Sequence, residues 1–154
     1  MPIPALLVED HCQALDFWRE CGVRGAACVH VDAHLDVTET GTERGSVYIP
    51  GGLNCGNFLY LALAEGLVEH LVWVIPPALA GTLAWARREL QEWVDLTGAE
   101  YASLCLRDGR VEGRLLGRRL TICRLDVGLP ELAPPVLLDV DVDYLVAEEQ
   151  HLWQ

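Results

Sequence analysis

Asp32, His34 and Asp36 fall at every second position directly after an apolar run, Ala26 to Val31. Carboxylates and imidazoles are metal-type donors, and period-2 spacing puts all three on one face if the strand simply continues. Asp139, Asp141 and Asp143 repeat the spacing after the run Val136 to Leu138, and Glu9-Asp10-His11 follows the run Ala5 to Val8. Like charges gathered this closely raise one another's pKa and cost stability unless something neutralises them. Bound cations do so, and this many carboxylates with two imidazoles exceed what one ion needs. The set points to two divalent ions bridged by shared carboxylates. Oxygen-rich donors with some imidazole favour Mn2+ or Mg2+ over thiolate-seeking zinc. A calcium loop starting at Asp139 is excluded, because its sixth position is Tyr144 instead of Gly and its twelfth is Gln150 instead of Glu.

The elements that must position these residues alternate. Short apolar strands are expected at Ala5 to Val8, Ala26 to Val31, His70 to Ile75, Leu120 to Leu125 and Val136 to Leu138. Between them, a helix around Leu15, Trp18 and Arg19 closes at Gly22 and Gly25, and a second runs from Asn57 to Glu65 and stops at Gly66. A third, capped by Thr82, has an apolar stripe of Leu83, Ala86, Leu90 and Val94 and ends at Gly98. Tyr101 to Arg107, Asp108-Gly109 and the segment from Arg110 read as a hairpin or an αβ connection, and Ala33 to Asn54 as a long polar, Gly-rich loop. Strands that are apolar without alternation belong to a sheet covered on both faces. The expected fold is α/β with a mostly parallel sheet, as one domain over residues 1–154. In such folds sites form beyond the carboxyl ends of strands, where the three acidic clusters fall.

The formal net charge of −12 repels nucleic acid and suits a cationic substrate. No apolar run is long enough to span a bilayer, and Met1-Pro2-Ile3-Pro4-Ala5 lacks the basic start of a signal peptide. The six cysteines, Cys12, Cys21, Cys28, Cys55, Cys105 and Cys123, form no C-x-x-C pair and read as reduced thiols of a cytoplasmic protein.

Val31-Asp32-Ala33-His34-Leu35-Asp36 resembles the D-A-H-x-D signature of the arginase/ureohydrolase superfamily. Leu138-Asp139-Val140-Asp141-Val142-Asp143 resembles its second signature, D-x-D-x-x-D, with the last spacing shortened, and Asp10-His11 is similar to the D-H pair that supplies a further histidine. Together with Leu53-Asn54-Cys55-Gly56-Asn57-Phe58-Leu59, these segments look like a small, divergent arginase-like branch that includes peptide arginases, which convert arginine in precursor peptides to ornithine. The resemblance implies a shortened three-layer arginase-like fold and two manganese ions. One ion is held by His11, Asp32, Asp36 and Asp139, and the other by Asp32, His34, Asp139 and Asp141. The metals activate water toward a guanidinium carbon, and Asp36 takes its proton and passes it to the leaving amine. The implied partner is an arginine-containing precursor peptide, and a homo-oligomer is left open.

The chain departs from the family pattern in three places. Cys55 stands where the family has a proton-shuttling histidine. The downstream guanidinium-binding glutamate is absent, with Glu9, Glu148 and Glu149 as substitutes, Glu9 first because it adjoins a ligand. The loop residues that grip a free α-carboxylate are not recognisable, which suits a peptide substrate or another guanidine. His30 reads as a packed core histidine off the Asp32 face, and His70 and His151 as structural or exposed. The rival readings are hydrolysis of a small guanidine or an acetylated amine, and a non-catalytic metal-binding interaction module.

Overall fold

The computed structural model describes residues 3–37, 42–43, 46–47, 53–79, 82–95 and 101–145. The element order is α1 (Gln13–Glu20), β1 (Ala26–Val31), the short strands β2 (Thr42–Glu43) and β3 (Ser46–Val47), α2 (Phe58–Ala64) and β4 (Val68–Val74). It continues with α3 (Leu83–Asp95), β5 (Tyr101–Arg107), β6 (Arg110–Leu115), β7 (Arg118–Cys123), a 3-10 turn at Leu125–Val127 and β8 (Val136–Val140). Six strands form one sheet in the order β5-β6-β7-β4-β1-β8. The β8–β1, β1–β4 and β4–β7 pairs are parallel, and the β7–β6 and β6–β5 pairs are antiparallel. The protein is therefore an α/β protein with a mostly parallel sheet flanked by helices.

Local chemistry accounts for the helix ends. Thr82 caps α3, its Oγ1 accepting the Trp85 N–H at 3.1 Å. Gly66 ends α2 with φ +71°, a conformation that costs other residues energy, and its amide returns to the Leu63 carbonyl at 3.1 Å. The segment from Tyr101 resolves as a hairpin, turning at Asp108-Gly109.

All three helices contribute to one apolar cluster. Leu15, Trp18, Phe58, Leu59, Trp85 and Leu90 pack with Cys28, Leu71, Trp73, Leu120 and Ile122 of the sheet. Alternate residues of the same strands, Val29, Val72, Val74 and Cys123, form a second cluster with Tyr144 and the half-buried Leu132. Both faces of the central strands are thus dry, as their unbroken apolar runs require. The edge is different: Val136, Leu138 and Val140 of β8 are exposed. No helix among the described residues is long and apolar enough to cross a membrane.

Two expectations fail. Ala5 to Val8 is not a strand: residues 3–8 have no regular structure and Leu7 is 97% exposed. A short apolar run becomes a strand only where a neighbour supplies a ladder, and none of the six strands pairs with this segment. Nor does β1 continue through Asp36. It ends at Val31, because Asp32 Oδ1 accepts the His34 N–H at 2.7 Å and curls the backbone into a turn. Gly98, Val94 as a stripe residue, and Glu148, Glu149 and His151 lie outside the described side chains.

Candidate metal centre

Parallel pairing in register brings the two main acidic clusters together. His30 of β1 stands beside Asp139 of β8, and the Asp141 N–H donates to the Val31 carbonyl at 3.0 Å, so both strands end side by side. Each strand then breaks in the same way. Asp32 Oδ1 takes the His34 amide, and Asp141 Oδ1 takes the Asp143 amide at 3.0 Å. These Asx turns occupy one oxygen of each carboxylate with backbone and leave the other for the site. Trp73 Nε1–H donates to the Asp32 carbonyl at 3.0 Å and holds that turn against β4.

His11 arrives from the turn before α1, with its carbonyl accepting the Ala14 N–H at 3.1 Å. Its ring packs on Phe58 of α2, centroid to centroid 4.7 Å. Asp36 arrives by an unusual backbone. It adopts φ +52°, which aspartate tolerates better than most residues, and its carbonyl accepts the Leu59 N–H at 3.2 Å. The helix that carries Phe58 is thereby tied to the turn that carries Asp36.

Four carboxylates meet the His11 ring. Nε2 lies 2.9 Å from Asp139 Oδ2, while Nδ1 lies 3.3 Å from Asp32 Oδ2, 3.3 Å from Asp36 Oδ2 and 3.0 Å from Asp141 Oδ2. Burial pulls the imidazole pKa down, but the hydrogen bond to Asp139 and the close carboxylates of Asp32 and Asp36 outweigh it and push the ring up to about 12. Burial raises Asp139 in turn, and the hydrogen bonds to His11 and His30 more than reverse that, leaving the carboxyl below its ordinary value. Two buried atoms still have no aligned hydrogen-bond partner, His11 Nδ1 and Asp32 Oδ2, although carboxylates crowd them. Asp32 is 1% exposed. The two atoms face one another at 3.3 Å without an aligned hydrogen bond, a costly arrangement for buried polar atoms, and a cation between them would satisfy both.

Among the described residues, three groups of donors lie within 4.8 Å of one another: His11, Asp32 and Asp36; Asp32, His34 and Asp143; and His11, His30 and Asp139. Asp32 belongs to two of them, as a bridging carboxylate does. The first group contains three of the four ligands expected for one ion. The second differs from expectation: His34, 67% exposed, turns its Nδ1 to Asp143 Oδ2 at 2.8 Å, and neither Asp139 nor Asp141 shares that group. The curl at Asp32 explains this, since it sends His34 outward toward the turn after β8.

His30 is the residue that sequence reasoning misplaced. It is fully buried, but it shares the face of Asp139, with Nδ1 2.8 Å from Asp139 Oδ2 and Nε2 3.0 Å from the His34 carbonyl. The ring bridges a core carboxylate to the backbone of the outer turn. Its position two residues before Asp32 was the available signal, because alternate strand residues share a face. Replacing His30 with Phe keeps the volume and removes both contacts. If the cluster holds divalent cations, their affinity, read by titration calorimetry, is expected to fall about 10- to 100-fold, with His30→Gln recovering part of it. Unchanged affinity in His30→Phe would remove His30 from the site.

A cleft of about 310 Å³ opens over the cluster, lined by Asp32, His34, Leu35, Asp36, Val37, Cys55, Gly56, Asp141 and Asp143. Cys55 is thus on the wall. Glu9 is exposed and is not part of the wall. Among the described residues no arginine is paired with Asp32, Asp36, Asp139, Asp141 or Asp143, so the cleft is strongly anionic. His70 stands apart, with Nε2 2.9 Å from Thr121 Oγ1 between β4 and β7. No family model matches the chain, and comparison with curated proteins finds no match.

Proposed function

We propose that the chain is a manganese-dependent hydrolase of guanidinium groups, on a shortened three-layer arginase-like fold, that converts arginine in a precursor peptide to ornithine and urea. The observation that carries this reading is the buried, unsatisfied pair His11 Nδ1 and Asp32 Oδ2 inside a ring of carboxylates. Such a pair suits donors arranged for cations, and these donors sit at the positions of the D-A-H-x-D and D-x-D resemblance.

In this reading His11, Asp32, Asp36 and Asp139 hold one ion. Asp32, His34, Asp139 and Asp141 hold the other, with Asp143 steadying His34. Bound manganese lowers the pKa of water and supplies Lewis acidity. The anionic wall draws in the cationic guanidinium and orients its carbon over the cluster. Asp36, half-buried on that wall, takes the proton of the attacking water at its carboxylate and returns it to the departing amine. The wall carboxylates, rather than Glu9, which does not line the cleft, receive the guanidinium. Among the described residues the wall carries no arginine to pair with a free α-carboxylate, which suits an arginine already inside peptide bonds.

The test is incubation of manganese-loaded protein with arginine-containing peptides, followed by mass spectrometry. Loss of one CH2N2 unit per modified arginine, with urea in solution, is expected. Two manganese ions per chain accompany the reaction, whereas a single zinc would indicate an amine deacetylase. Full metal loading with no mass loss across varied peptides would leave a non-catalytic metal-binding module.

A further inference from the structure

The six-stranded sheet has two outer strands, and the sequence treats them differently. β5 is blunted as an edge: its register with β6 shifts between Ala102 and Cys105, Ser103 sits at φ +59°, and Arg107 ends the strand. β8 has none of these devices. Its register with β1 runs unbroken from Val136 to Val140, and it contains no Pro, Lys or Arg. Its one charged side chain, Asp139, is turned into the site against His11 and His30. The Ala27 N–H donates to the Pro135 carbonyl at 2.9 Å, and the Asp141 N–H to the Val31 carbonyl at 3.0 Å. Residues that bond to one neighbour recur at every second position of a parallel ladder, so Pro135, Leu137, Asp139 and Asp141 face β1. Val136, Leu138 and Val140 therefore point their N–H and C=O groups outward, where no strand among the described residues receives them. The same three side chains are exposed, Leu138 at 71%, and share the sheet face of Val29 and Val31.

We propose that the outer edge of β8 is an interface with a second copy of this chain, the two β8 strands pairing antiparallel about a two-fold axis at Leu138. In that register Leu138 of one copy stands opposite Leu138 of the other, and Val136 opposite Val140. Every outward N–H and C=O of the strand then enters a hydrogen-bonded pair, and the apolar side chains meet across the seam. Charge selects this arrangement. Asp139 comes opposite Leu137 of the second copy instead of another Asp139. The acidic ends at Asp141 and Asp143 lie at opposite ends of the shared ladder. A parallel pairing in register would set those ends side by side, in a chain of formal net charge −12. The two-fold also closes the assembly: both β8 edges are used, and the blunted β5 edges remain outside, so association stops at two.

The test is sedimentation velocity of the full chain over a wide dilution series. A dimer that dissociates to monomer on dilution is expected. Leu138→Lys places two ammonium groups opposite each other and should sediment as a monomer throughout, while Leu106→Lys, at an exposed position of β5, should match the parent. Amide hydrogen exchange of the wild-type chain gives a second reading that needs no variant to fold. The Val136, Leu138 and Val140 amides should be protected in concentrated protein and exchange about tenfold faster or more when it is diluted to monomer. Three results overturn the proposal: a monomer at every concentration, a dimer that persists in Leu138→Lys, or equal exchange of these amides at both concentrations. Equal exchange would mean an edge left open or filled by something other than a second copy. Neither readout depends on manganese or on hydrolysis.

Discussion

Asp139→Ala is expected to empty the site. In the structure this carboxylate lies 2.9 Å from His11 Nε2 and 2.8 Å from His30 Nδ1, and in the proposed centre it bridges both ions. Removing it takes a proposed ligand from each ion and strips His11 Nε2 and His30 Nδ1 of their nearest carboxylate. Losing one partner of a buried charged pair costs about 3–5 kcal/mol, so the metal-free variant is expected to melt well below the parent. Manganese affinity should fall by more than the ~100-fold upper range typical of outer-shell changes, and peptide hydrolysis should disappear. Asp32→Ala should do the same through the other bridge. Elemental analysis after remetallation is the direct check, and full metal content in either variant would rule out bridging.

Manganese binding should strengthen steeply with pH, by about tenfold per unit around neutrality. At pH 7 the metal-free His11 ring, pushed up to about 12 by Asp139, Asp32 and Asp36 against the opposing effect of burial, carries a proton on each nitrogen. Ligation through Nδ1 requires one of them to leave. Calorimetry in buffers of different ionisation heat should therefore show about one proton released per chain from this residue. The same shift gives the metal-free fold a pH dependence of opposite sense. A histidine whose folded pKa lies above its ordinary 6.5 stabilises fully below 6.5. That stabilisation declines as pH rises from there toward about 12. Raising pH thus loosens the empty protein while favouring the loaded one. Equal affinity at pH 6 and pH 8 would show that His11 is not a ligand.

The parallel α/β sheet was legible because apolar runs without alternation, separated by capped helices, leave few other arrangements. Donors at strand ends were legible for the same reason, since parallel strands deliver their carboxyl ends to one rim. What escaped was decided by non-local or fine local geometry. Whether Ala5 to Val8 finds a ladder partner depends on strands far away in sequence. The outward turn of His34 follows from a side-chain hydrogen bond at Asp32 that interrupts the alternation before it reaches Asp36. His30 was set among the core because its apolar neighbours dominate the pattern, while its contact with Asp139 depends on the β1–β8 register.

Among the described residues, the strand that carries Asp139 and leads into Asp141 and Asp143 is the outermost of the sheet, hydrogen-bonded as a ladder to β1 alone. Rim strands breathe more readily than central ones, because one row of bonds is all that must open. An ion gripped by Asp32 on the inner strand and Asp139 on the rim would act as a clasp across that single seam. Site occupancy and fraying of the rim are then one equilibrium: metal scarcity loosens the outer strand, and a loosened strand surrenders its metal.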